Sequence, residues 1–260
     1  MSSDFSLTFL SSLTPGEIAY CCAVLLLAYG LRGSSGFGGV VGLPLIALVI
    51  PVKVLAPAWS LLGIASSLTI LGRDRAHIAT RAFLAFLPWC ALGIGIGLVL
   101  FKALQAEALA RALGALILFY AGHALWRTAS PGMRDPLPAW LMRPAASALS
   151  GAVGTMFGAM ATIFFAMYLD SHTLEKQAFR ATISAMLLSL SVVRVIGYAS
   201  VGELTAESLA VFLAALPAMA IGIYAGGRIH ARISETAFRR LVCAILIVSA
   251  IPLLLRQESR

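Results

Sequence analysis

FLAFLPWCALGIGIG, residues Phe83 to Gly97, returns as FLAALPAMAIGIYAG at Phe212 to Gly226. Nine of the fifteen positions are identical at a constant spacing of 129 residues, including Pro88 with Pro217, Gly93 with Gly222 and Gly97 with Gly226. The register continues through Arg111 with Arg240, Ala115 with Ala244, Leu125 with Leu254 and Arg127 with Arg256. Shared apolarity alone would not keep proline, glycine and arginine in step, so the chain is read as two copies of one unit, residues 1–127 and 128–260.

What the unit is made of follows from composition. The 260 residues are 60% hydrophobic and 12% charged, with a mean hydropathy of +0.94. A soluble domain carries about 25% charged residues. A bilayer core of roughly 30 Å takes ~20 apolar residues per helix, and the chain offers such runs nearly end to end. They span Ile18 to Ile50, Val54 to Leu71, Ala82 to Phe101, Ala108 to Trp126, Pro144 to Leu169, Ala181 to Ser200, Ser208 to Gly226 and Leu241 to Leu255. The expected fold is an all-α integral membrane protein. The first run lacks a basic flank and outlasts a signal h-region, so it is read as part of the mature protein. A net charge of +8 is dispersed over short loops instead of gathered on one face, which argues against nucleic acid. Cys21, Cys22, Cys90 and Cys243 lie in apolar runs without metal-ligand spacing, and no disulfide, metal or cofactor is expected.

Segments one and five differ from the rest because small polar residues interrupt them: Gly33-Ser34-Ser35-Gly36-Phe37-Gly38-Gly39 and Gly151-Ala152-Val153-Gly154-Thr155-Met156-Phe157-Gly158. Loop charge bears on how segment five lies. If it enters and leaves on one side, twelve loop cations face the cytoplasm (Arg73, Arg75, Arg81, Arg127, Arg134, Arg143, Lys176, Arg180, Arg228, Arg232, Arg239, Arg240). Five face out (Lys53, Lys102, Arg111, Arg256, Arg260). Eight full crossings would leave no such bias, so the positive-inside rule favours a re-entrant hairpin. A hairpin plus three crossings is an odd number, and two copies of it come out inverted. Each repeat is thus expected to be a broken or re-entrant hairpin followed by three transmembrane helices.

Backbone that is not helical at membrane depth persists only where protein or a water-filled cavity satisfies it, and helix N-termini meeting there bind anions. Arg32 and Arg194 fall inside apolar segments, where a charge is rare unless it pairs or lines a pathway. All eleven Asp and Glu residues fall outside the proposed cores. An intramembrane carboxylate relay of the kind proton-coupled carriers use is therefore missing from the reading, and potential-driven export of an anion is expected. Serines and threonines of segments two and six (Ser60, Ser66, Ser67, Thr69; Thr182, Ser184, Ser189, Ser191) read mostly as helix glue, and Gly93, Gly97, Gly222 and Gly226 as close packing. Ser35 in Gly33-Ser34-Ser35-Gly36 has the form of a rhomboid-type nucleophile, but none of His77, His123, His172 or His230 has a clear route to it. An anion channel and a non-transporting assembly factor remain as further alternatives.

Gly36-Phe37-Gly38-Gly39 with Pro44 five residues on resembles the first glycine motif of the sulfite exporter TauE/SafE permease family, and the duplicated layout resembles that family too. The second copy departs, with Gly158-Ala159 and Phe164 where the family tends to show a glycine pair and a proline. The resemblance implies a non-enzymatic cell-membrane permease that moves sulfur-containing anions such as sulfite, sulfoacetate or other organosulfonates without a cofactor. The anion site is expected between the two hairpins, at Arg32, Gly33, Ser34, Ser35, Gly36, Phe37, Gly38 and Gly39 with Gly154, Thr155, Met156, Phe157, Gly158, Thr182 and Arg194. Trp59 and Pro44 are gate or packing residues. The expected partners are a small anion and the lipid bilayer, and a homodimer is compatible with the sequence.

Overall fold

The computed structural model describes residues 13–35, 39–74, 77–129, 139–158, 161, 164, 165, 168 and 176–228. Within them the chain is helical, without strands. The helices are α1 (Pro15–Ser35), α2 (Gly39–Ile46), α3 (Val52–Asp74), α4 (Thr80–Ala103), α5 (Ala106–Ala129), α6 (Ala139–Phe157), α7 (Lys176–Ser200) and α8 (Ala206–Arg228). Five of them, α1, α3, α4, α7 and α8, hold stretches long and apolar enough to cross a membrane. The expected eighth segment, Leu241 to Leu255, lies outside the described residues.

Local signals set the helix ends. Thr14 and Glu17 form a capping box: the Thr14 hydroxyl accepts from the Glu17 amide at 3.3 Å, and the Glu17 carboxylate accepts from the Thr14 amide at 2.8 Å. Thr205 caps α8 by accepting from the Ser208 amide at 3.2 Å. Helix α7 closes in a Schellman turn, with Gly202 at φ 78° and the Glu203 amide donating to the Tyr198 carbonyl at 2.9 Å.

The first broken segment is a hairpin of unequal arms, 21 residues in α1 and 8 in α2. The sequence sets the interruption at Gly33 to Gly39; α1 ends at Ser35 and α2 begins at Gly39, late in the segment, and α1 alone is long enough to cross. Helix α2 runs back along α1: the Tyr20 hydroxyl donates to the Leu45 carbonyl at 3.1 Å, and Gly42 sits against Ala28. The second broken segment also turns back. Ala161 lies against Gly154, and Phe165 and Tyr168 pack on Phe86 with ring centroids 5.1 and 5.4 Å away. Tyr168 also donates to the Ala82 carbonyl at 2.7 Å.

Helices α3 and α7 cross antiparallel. Lys53 meets Glu203 at 3.3 Å, Ser60 meets Arg194, and Gly63 lies against Ser191. The crossing at Gly63 and Ser191 falls within one residue of Leu62 and Ser191, which the 129-residue spacing makes equivalent. The first hairpin opens towards the Lys53–Glu203 end. The second opens towards the opposite end, where the Ala79 amide donates to Thr182 at 3.0 Å.

Docking of the hairpins is reciprocal. Gly93 and Gly97 of α4 press on the backbone of Ala148 and Ala152 in α6, while Gly151 presses back on Cys90. Gly222 and Gly226 of α8 press on Leu26 and Gly30 of α1. Each clamp helix belongs to one half of the chain and holds the hairpin of the other. Without a Cβ the backbones approach closely and gain dispersion contacts that lipid cannot replace. The outward faces, with Leu84, Leu92, Ile96 and Val99 on α4 and Leu213, Ile221 and Tyr224 on α8, are exposed apolar surface of the kind a bilayer covers.

Gly97 and Gly95 give an internal control, since a Cβ at Gly97 would strike the Ala152 carbonyl whereas Gly95 faces open space. Gly97→Leu is expected to destabilise the detergent-solubilised protein by about 3 kcal/mol, and Gly95→Leu to stay within about 0.5 kcal/mol. Thermal unfolding of the two variants checks this.

Candidate anion site

Ser60 and Ser67 of α3 are seven residues apart, two turns or about 10.5 Å along one helix face. Each receives a buried guanidinium. Arg194, from α7, donates through Nη2 to the Ser60 hydroxyl, and Ser60 in turn donates to the Ala56 carbonyl at 2.8 Å. Arg32, in the last turn of α1, donates through Nη2 to the Ser67 hydroxyl at 2.8 Å. The two residues are 2% and 4% exposed, so neither reaches bulk water.

Arg194 is held mainly by the end of α6. That helix stops in an αL cap, with Gly158 at φ 76° and its amide donating to the Gly154 carbonyl at 2.8 Å. Arg194 donates to the same Gly154 carbonyl through Nη1 at 2.6 Å and to the Gly158 carbonyl through Nη2 at 3.0 Å. One turn further along α7, the Tyr198 hydroxyl donates to the Thr155 carbonyl. A cation at a helix C-terminus also complements the macrodipole. A side chain at Gly158 would meet the backbone of Ala56 at 2.8 Å, so only glycine serves there, for both its φ and its space.

Among the described residues three buried donors have no hydrogen-bond partner: Arg32 Nε, Arg194 Nε and the Tyr29 hydroxyl. Among the described residues no carboxylate pairs with either arginine. Glu17, Glu107 and Glu207 lie in first turns, Asp74 ends α3, and Glu203 bridges to Lys53. Two positive charges in a low-dielectric interior without a fixed counter-ion attract an anion and exclude cations.

The expected site residues fare unequally. Arg32, Gly33 and the helix ends at Ser34, Ser35 and Gly39 gather at the first bend, whose Gly36, Phe37 and Gly38 lie outside the described residues. Gly154, Thr155 and Gly158 are at the second bend, but as a helix C-terminus they present carbonyls, Gly154 and Gly158 to Arg194 and Thr155 to Tyr198, and not amides to an anion. Met156 and Phe157 pack into the core. Thr182 is not brought to the site: it donates to the Ala178 carbonyl at 2.6 Å and sits twelve residues before Arg194, about 18 Å along α7. Trp59 packs on Tyr29 with centroids 5.6 Å apart and against Gly42, and Pro44 lies inside α2. His77 is exposed before α4. Sequence reasoning missed Tyr29 and Tyr198, although each lies one helical turn from an intramembrane arginine, a spacing that puts both side chains on one face.

An all-helical bundle with lipid-type faces, hairpins turning inside it and buried unpaired cations defines a multi-pass membrane transporter. The family described as "Sulfite exporter TauE/SafE" matches residues 21–253, and the chain belongs to that family. It is also similar to the probable inner membrane transporter protein TsaS of Comamonas testosteroni, at 29% identity over 196 residues covering 74% of this chain and 80% of that protein. No solved structure matches.

Removing the guanidinium as Arg194→Met strips donors from the Gly154 and Gly158 carbonyls. Amide hydrogen exchange across 154–158 is expected to quicken by about tenfold or more, with Ser67→Ala leaving that segment unchanged. Exchange mass spectrometry in detergent reads both.

Proposed function

We propose that the chain exports a small sulfur-containing anion, such as sulfite, sulfoacetate or another organosulfonate, through a site between its two hairpins. Family membership supports the sulfur-anion class. The observation that carries the site is the pair of buried guanidiniums on one face of α3 with no carboxylate beside them among the described residues. An anion there supplies the missing counter-charge, and Arg32 lowers the cost of bringing it to mid-depth.

The frame of the proposal is two inverted repeats, residues 1–127 and 128–260. The antiparallel crossing of α3 and α7 near equivalent positions and the exchanged docking of the hairpins favour it. In this orientation the Gly202 to Glu207 turn faces outward and the loop bearing Arg232 and Arg239 faces the cytoplasm. Single cysteines in the two loops are expected to react with an impermeant maleimide from outside at the first only; the reverse pattern overturns the orientation.

No carboxylate among the described residues lies at mid-depth, so the driving force is assigned to the membrane potential, about 2.3 kcal/mol per elementary charge per 100 mV. Proteoliposomes clamped with potassium and valinomycin separate this from a pH gradient. Sulfite flux is expected to follow the potential, and Arg32→Gln to cut it by roughly tenfold or more at equal protein. Flux that follows the pH gradient alone sinks the uniport mechanism.

A further inference from the structure

Tyr29 is 1% exposed, and its hydroxyl has no hydrogen-bond partner. Burying such a group unsatisfied costs about 1–3 kcal/mol, and phenylalanine would fill the same space without that cost. The ring lies 5.6 Å from Trp59, and Trp59 in turn is wedged against Gly42 of the returning arm. The hydroxyl is therefore pinned, not idle at the end of a mobile side chain.

Arg32 follows Tyr29 by three residues on the same face of α1, close enough for the two groups to interact electrostatically. Its Nε is the second buried donor without a partner in this region. The arms of the first hairpin run antiparallel with Ala28 beside Gly42, which brings the N-terminal end of α2, at Gly39, alongside the last turns of α1. That end carries partial positive charge. A neutral donor, a charged donor and a helix N-terminus therefore share one bend, with no carboxylate among the described residues to take them up.

Arg194 differs in kind. Its two amino groups are spent on Gly154, Gly158 and Ser60, so it works as a staple between α7, α3 and the end of α6. Arg32 spends one contact, on Ser67.

We propose that Tyr29 and Arg32 are the side-chain ligands of the transported anion, the Tyr29 hydroxyl and Arg32 Nε each donating to an oxygen of a small oxyanion such as a sulfite or sulfonate head group. This rests on the anion-transport reading above, and it adds a neutral donor that selects oxyanions over halides by offering two separated hydrogen bonds. Tyr29→Phe removes one oxygen and keeps the ring on Trp59.

The test measures sulfite and ethanesulfonate uptake into proteoliposomes across a concentration series for wild type, Tyr29→Phe and Arg32→Lys, with thermal unfolding in detergent alongside. For Tyr29→Phe the expected result is a KM raised about tenfold, with an unfolding midpoint equal to or above wild type in the absence of anion. Arg32→Lys keeps the charge and loses Nε, and is expected to raise KM as well. A wild type that carries these anions while Tyr29→Phe keeps its KM within about twofold overturns the ligand assignment and leaves the transport reading standing. A wild type that carries neither anion overturns both.

Discussion

Helix α6 stops at Phe157, pressed through Gly158 against Ala56 of α3, and a helix that stops away from water leaves carbonyls with nothing to accept from. Arg194 supplies a donor to the Gly158 carbonyl and Tyr198 one to the Thr155 carbonyl, and Arg194 adds a second donor at Gly154, whose carbonyl already accepts from the Gly158 amide. The magnitudes are informative. An arginine at the centre of a membrane helix costs about 2.5–3.5 kcal/mol on insertion scales, while a hydrogen bond to a charged group returns about 1.5–3 kcal/mol. Arg194 makes three and is offset. Arg32 makes one, to Ser67, and is left with a deficit of up to about 2 kcal/mol. The same ion at two depths of one bundle is thus a structural fastener in one place and an unsatisfied charge in the other.

The two halves share a scaffold without sharing this chemistry. Gly93 and Gly97 hold α6 in the way that Gly222 and Gly226 hold α1, and these are the residues kept in register by the 129-residue spacing. The arginines break the register. The position equivalent to Arg194 is Ala65, so α3 sends no guanidinium to the first hairpin; the first hairpin sends its own, Arg32, to α3. Backbone contacts through glycine fix where each hairpin docks, and single polar residues fix how tightly its end is tied.

Much of the scaffold was legible because bilayer and repeat act on residue types that sequence displays openly. Proline, glycine and arginine in step are what the two-copy reading rests on, and the apolar runs lie within about five residues of the helix ends where these are described. The interior of the site was harder to read. Gly154 to Gly158 has the look of a flexible anion loop, yet whether a glycine stretch offers amides or carbonyls depends on which side of it the helix lies, and here α6 runs up to it. Tyr29 resembles any core aromatic until the hydrogen-bond partners of its hydroxyl are sought. Thr182, a hydroxyl in the same segment as Ser184, Ser189 and Ser191, is taken up by the Ala79 amide at the start of α4.

The missing carboxylates matter more than the arginines that are present. An aspartate near Arg32 or Arg194 would be the cheaper way to hold a guanidinium in place, and the chain keeps its described acids at helix ends instead. A fixed anion would neutralise the interior and compete with any mobile one for the same donors. Ser60 and Ser67 do neither: a hydroxyl accepts from the guanidinium, holds its orientation and leaves its charge intact. Serines on a mostly apolar helix thus position two cations while preserving the field they make. On the anion-site proposal, the deficit at Arg32 makes the first bend, and not the stapled end of α6, the place where an entering anion gains most.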